Sequence, residues 1–157
     1  MHDSNPNSTA SVAGHPLHPM LIPFPIAFFV GALVVDIVYR QSLDPFWPEA
    51  AAYLLGAGLA MAALAALAGL TDFLGDRRIR SLRAAWYHLI GNVTVVLIEA
   101  INLWGRIEDG ISFVLPAGLG LSIVATLMLL FNGWKGWEMV YRHRVGIAQE
   151  AKDLTSS

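Results

Sequence analysis

Four long apolar runs, separated by short polar stretches, dominate the hydropathy pattern of this chain. Each run is close to the length of about 20 residues that an α-helix needs to cross a bilayer. The pattern predicts helices over 20–39, 48–74, 82–104 and 115–141. The fold class is therefore all-α: a polytopic membrane protein, a four-helix transmembrane bundle. Residues 1–14 (MHDSNPNSTASVAG) and 148–157 show no periodicity and read as polar tails, the first of them mobile. Between them, 15–147 forms one four-span domain.

The first run has an unusual approach. In GHPLHPMLIPFP (14–25), His15 and His18 each precede a proline, and four prolines fall between positions 16 and 25. A residue before proline is pushed away from the helical region, so neither histidine is expected on a regular helix. Prolines are cheap only in a first turn, which places the regular part of span 1 from about Pro23 to Pro25 onward. The segment reads as a Pro-rich cap folded over one end of the bundle. Span 2 carries Gly58, Ala62, Ala65 and Gly69 on one side with Asp72, a small-residue seam that lets a neighbouring helix come close. The chain suggests two helical hairpins, yet no repeat is convincing in the sequence.

Composition sharpens the membrane reading. Charged residues are 14% of the chain and hydrophobic ones 55%, with a mean hydropathy of +0.54; soluble domains carry roughly 25% charged residues. A net charge of -2 gives no basic surface for a nucleic-acid partner. With no cysteine, disulfides, all-cysteine iron–sulfur clusters and covalent c-type haem attachment are excluded. Orientation follows from the basic residues. Arg77, Arg78, Arg80, Arg83, Arg142, Arg144 and Lys152 share one side, against Arg40 and Arg106 on the other. Positive-inside bias makes the first side cytoplasmic, with both termini and all five histidines (2, 15, 18, 88 and 143).

Polar residues inside a span need a partner, a cavity or a function. Asn92, Glu99, Asn102 and Arg106 follow His88 within about 40° of one helical direction. The plain reading is a seam of interhelical hydrogen bonds; the sharper one is a ligand site or a proton path. Glu99 is expected to find Asp36 of span 1 as its polar neighbour, and the two mark the outward part of such a path. Asp72 is expected either to orient an imidazole or to pair with Arg77 or Arg78. Lys135, Glu138 and Arg142, among Trp134, Trp137 and Tyr141, read as an interfacial aromatic belt with snorkelling charges.

Imidazoles gathered at one end point to haem iron, zinc or copper. A b-type haem would take His18 and His88 as axial ligands, with His15 and His143 as second choices and Asp72 and Asn92 behind them. Trp86, Tyr87 and Trp134 would wall the ring and arginines would meet its propionates. A tetrahedral zinc would instead use His15, His18, His88 and Asp72. The competing reading has no cofactor, the histidines being satisfied by carbonyls and carboxylates. No activated serine or cysteine, phosphate-binding glycine loop or hydrolytic carboxylate pair is present, so nothing points to an enzyme.

At GHPLHPMLIPFPI with Asp36, AGLTDFLG, WYHLIGN and GWEMVYRHRVGI, the chain resembles a family of bacterial membrane proteins catalogued as domain of unknown function 2231. The resemblance runs from Gly14 to Ile147. It implies a four-helix domain of the bacterial inner membrane whose polar positions match His15, His18, Asp72, His88, Asn92 and His143. Similar domains are sometimes joined to Rieske-type or cytochrome-like modules, which favours electron transfer. The expected partners are the lipid bilayer and a redox protein or a second copy of the chain. Two other functions stay open: a cofactor-free structural or partner-binding subunit, and a proton or metal transport element.

Overall fold

The computed structural model describes residue 6 and residues 8–147. His2, Lys152 and the C-terminal tail over 148–157 lie outside the described residues. The described chain holds four helical stretches long and apolar enough to cross a membrane: Leu17–Ser42, Phe46–Gly75, Arg83–Asp109 and Ile111–Arg142. Each outruns its predicted span at one end or both. The added residues are interfacial ones, such as Phe46 and Trp47, whose rings meet edge to face at 5.1 Å.

The prolines set how span 1 begins. Two residue pairs, Ser11–Val12 (β1) and His15–Pro16 (β2), form a small antiparallel ladder. A five-residue helix, α1 (Leu17–Leu21), follows and passes through Ile22 into α2 (Pro23–Ser42). His18 therefore does sit on a helix, contrary to the expectation from Pro19. The first four amides of a helix have no intrahelical partner, so Pro19 removes nothing from α1 and Pro23 and Pro25 nothing from α2. His15 stays in the ladder and is exposed.

Helix α3 (Phe46–Gly75) forms span 2. The short α4 (Arg77–Ser81) carries the arginine loop; the Asp76 side chain caps it, accepting from the Arg78 amide at 2.8 Å. Helix α5 (Arg83–Asp109) is span 3. Span 4 comprises α6 (Ile111–Phe113), a kink over Val114–Gly118 at which Leu115 is extended, α7 (Leu119–Trp137) and a wide turn over Glu138–Arg142. Spans 1 and 3 each pack against both spans 2 and 4. Spans 1 and 3 therefore face each other across the centre.

The core confirms the small-residue seam. Gly58, Ala62 and Ala65 are buried, and the Phe29 ring lies where a Cβ on Gly58 would stand, 2.5 Å from it. Without a side chain at 58 the two backbones can close around that ring. Phe29, Ala32, Leu55, Ala62, Val95, Ala125 and Leu129 form the dry middle of the bundle. A second cluster, Phe73, Ile79 and Ala85, closes the histidine end.

Candidate functional site

The outer half of the bundle holds a buried polar network. Arg106 donates two hydrogen bonds to Asp36, from Nη1 to Oδ1 at 2.9 Å and from Nη2 to Oδ2 at 2.7 Å. Ser122 Oγ donates to Asp36 Oδ2 at 2.9 Å, and Arg106 Nε donates to Asn102 Oδ1 at 3.0 Å. Asn102 Nδ2 reaches both Glu99 Oε2 and Ser122 Oγ at 3.0 Å. Asp36, Glu99, Asn102 and Ser122 have no exposed surface at all. The expected pairing of Asp36 with Glu99 is thus replaced by an ion pair of Asp36 with Arg106. A fixed cation matches a carboxylate without the shared proton that two acids would need. Glu99 Oε1 has no partner among the described residues.

This network does not continue to the histidines. Asn92 and Glu99 are seven residues apart, about 10 Å along the helix axis. Val95, Leu129 and Phe29 fill that layer. The polar stripe of span 3 is two sites with a dry plug between them, so Glu99 and Asp36 stand apart from the histidine end.

At that end the structure brings His18 and His88 together. Their ring centres are 6.0 Å apart and the rings stand nearly perpendicular, at 87°. His18 Nδ1 lies 2.7 Å from the Ala65 carbonyl of span 2, and His88 Nδ1 lies 3.1 Å from the Asn132 carbonyl of span 4. A carbonyl only accepts, so each Nδ1 carries the proton in these bonds. In the neutral ring the lone pair is then on Nε2, the arrangement that carbonyl-anchored histidine ligands use. Asn92 Nδ2 donates to the His88 carbonyl at 2.7 Å, which ties its side chain to the same turn. Both rings line a cavity of about 730 Å3, within the range of small-molecule sites. Its walls are mainly apolar, with Ile22, Ile26, Phe73 and Trp137 among them, while Ser8, Asp72, His18, His88 and Asn92 supply polar groups.

Other expected members fall elsewhere. Neither His15 nor His143 lines the cavity, although Val145 and Gly146, just beyond His143, do. His143 ends the last turn of span 4, where the chain reverses through Arg144 at φ +53°. The reversal carries the following residues inward and leaves the imidazole outside. Trp86, Tyr87 and Trp134 are exposed rather than walling a ring. Trp86 instead meets the edge of Phe73, with ring centres 4.9 Å apart. None of Arg77, Arg78, Arg80 and Arg83 lines the cavity. Among the described residues no group of three or more histidine or acidic side chains is placed to hold a metal ion. The zinc set His15, His18, His88 and Asp72 is accordingly not assembled.

Asp72 shows why. Its carboxylate accepts from Ser8 Oγ at 2.9 and 3.0 Å, from the Ala10 amide at 2.7 Å and from Thr9 Oγ1 at 3.3 Å. It pins residues 8–10, of which Ser8 lines the cavity, and neither orients an imidazole nor pairs with Arg77 or Arg78. The stretch expected as a mobile tail is held from Ser8 onward, because a carboxylate at a helix end offers several acceptor sites to small polar residues. We predict that Asp72→Ala frees this segment: hydrogen exchange at the Ala10 amide should accelerate by about 10-fold or more, the loss of one charge-assisted bond.

The profile of the family described as "predicted membrane protein (DUF2231)" matches residues 14–149. The chain belongs to that family. No curated protein and no solved structure matches it. Membership in DUF2231 and the four candidate spans agree that the chain is a membrane protein whose natural solvent is lipid. The exposed Leu, Ile and Val residues along all four spans are then the lipid-facing surface.

Proposed function

We propose that this DUF2231 protein binds one b-type haem between His18 and His88 and passes electrons at that end of the bundle. In this reading the protein lies in the bacterial inner membrane with both termini cytoplasmic, and a redox protein or a second copy meets that face. The observation that carries the reading is the pair of imidazoles 6.0 Å apart, each held through Nδ1 by a backbone carbonyl. Two imidazoles at that spacing, each with Nδ1 bonded to a carbonyl, would hold one metal centre through Nε2. Two protein ligands are too few for a tetrahedral zinc. Haem carries most of its iron's ligands itself and would need only imidazoles from the protein, so His18 and His88 would hold it.

Haem, when bound, supplies one-electron chemistry. The chain's own residues do the rest. His18 and His88 present Nε2, and their bonds to Ala65 and Asn132 fix the tautomer and increase the basicity of those nitrogens. Ile22, Ile26, Phe73 and Trp137 exclude water from the apolar side of the cavity. Ser8, tied to Asp72, lines its polar side. One observation favours a cofactor-free helix-gluing subunit instead: two imidazoles in edge-to-face contact can hold each other without a ligand.

The visible spectrum separates the two readings. Protein purified in detergent from haem-replete cells should show a Soret band that sharpens and shifts on reduction, at one haem per chain. A colourless, metal-free protein that folds normally would leave the helix-gluing subunit.

A further inference from the structure

The buried positions of the two halves coincide in a way the residue types conceal. In spans 1 and 3, Pro25, Phe29, Ala32 and Asp36 are buried, and so are Val95, Glu99, Asn102 and Arg106, each 70 residues later. In spans 2 and 4, Ala51, Leu55, Gly58, Ala62 and Ala65 are buried, and so are Gly118, Ser122, Ala125, Leu129 and Asn132, each 67 residues later. His18 and His88 also differ by 70, and their ring centres lie 6.0 Å apart. Asp36 and Arg106 differ by 70, and they pair. Contacts between equivalent positions are what a twofold axis produces.

The imidazole anchors obey the same rule. His18 lies on Gly69 and bonds to the carbonyl four residues before it, Ala65; His88 lies on Gly136 and bonds to the carbonyl four residues before it, Asn132. In a helix the side chain at i+4 stands over the carbonyl of residue i. A glycine there uncovers that oxygen for a second donor. A Cβ on Gly69 would fall 2.7 Å from His18 Nδ1, and one on Gly136 would fall 3.1 Å from His88 Cε1.

We propose that the four spans are two copies of one helical hairpin, related by a pseudo-twofold axis along the bundle, and that Gly69 and Gly136 are matched positioning residues through which both copies present Nε2 to a single ligand shared on that axis. The hairpins insert in the same sense, the parallel type of membrane repeat. The ligand is one metal centre that takes two equivalent imidazoles. This rests on the haem reading for the identity of that centre, not for the placement of the rings.

Gly69→Ala and Gly136→Ala test it in the full-length protein. Gly56→Ala and Gly120→Ala serve as controls, since they lie in the same two helices with nothing near the added methyl. The first readout is the imidazole Nδ1–H proton by NMR, which needs no cofactor. Exchange of the His18 proton should quicken by about 10-fold in Gly69→Ala, and that of the His88 proton, by a smaller factor, in Gly136→Ala. Both controls should match the parent. The second readout is the low-spin iron signal of the haem-loaded protein, which should shift in both test variants and in neither control. Unchanged Nδ1–H protons in both test variants would overturn the proposal. Altered protons in a protein that takes up no haem would uphold the positioning role and defeat only the haem reading.

Discussion

Replacing Arg106 by alanine should cost about 3–5 kcal/mol of stability, because it strands the Asp36 carboxylate in a site with no exposed surface. The guanidinium supplies three of the hydrogen bonds in the outer network: two to Asp36 and one to Asn102. Without it, Asp36 keeps only Ser122. Asp36→Ala should cost a similar amount for the converse reason, since it leaves a buried cation that lipid cannot solvate. The double variant Asp36→Leu with Arg106→Met should recover most of the loss, because an apolar pair of similar volume needs no desolvation. Unfolding in mixed detergent micelles, followed by tryptophan fluorescence, measures all three. Equal losses in the single and double variants would show that the pair itself adds stability beyond satisfying its two charges.

The second large effect lies at the other end. On the proposed haem reading, His18→Ala and His88→Ala should each reduce haem retention by more than about 100-fold, beyond the 10–100-fold typical of residues behind a ligand. His15→Ala and His143→Ala should retain it, since neither residue lines the cavity. Haem content per chain after gel filtration reads the difference. The contrast matters because all four histidines share one end of the bundle, and the sequence offers His15 and His143 as second choices beside His18 and His88.

The four spans were legible because a bilayer demands long apolar runs, and their ends were less so because interfacial aromatics and first-turn prolines blur a boundary. His18 and His88 stood out for a physical reason: an ionisable residue beside an apolar run is costly unless it has a partner. Their anchors were hidden, since a backbone carbonyl has no letter in the sequence. The role of Asp72 was hidden too. Ser8, Thr9 and Ala10 have neither period nor charge, so nothing marked them as its donors. Arg106 was visible as part of the stripe, yet its pairing with Asp36 depended on which helices face each other. Two hairpins were suggested by the sequence, yet no repeat was convincing because the equivalent positions carry different chemistry. Phe29 stands against Glu99, Ala32 against Asn102, Leu55 against Ser122 and Ala65 against Asn132. Burial was kept at these positions while residue type diverged, and only the structure reports burial.

That divergence is one-sided. At those four positions the polar member always belongs to the second hairpin, and it enters the outer network in three of them. At these four positions the first hairpin supplies apolar wall and the second polar groups, and Asp36 of the first hairpin ties the two together through Arg106 and Ser122.

The most direct test is the low-temperature electron paramagnetic resonance spectrum of the oxidised, haem-replete protein, recorded beside His18→Ala and His88→Ala. Convergence of the two imidazoles on one iron predicts a six-coordinate low-spin signal in the parent that is lost or turned high-spin in either variant. A parent signal that survives both substitutions, or no iron signal in a folded parent, would contradict it.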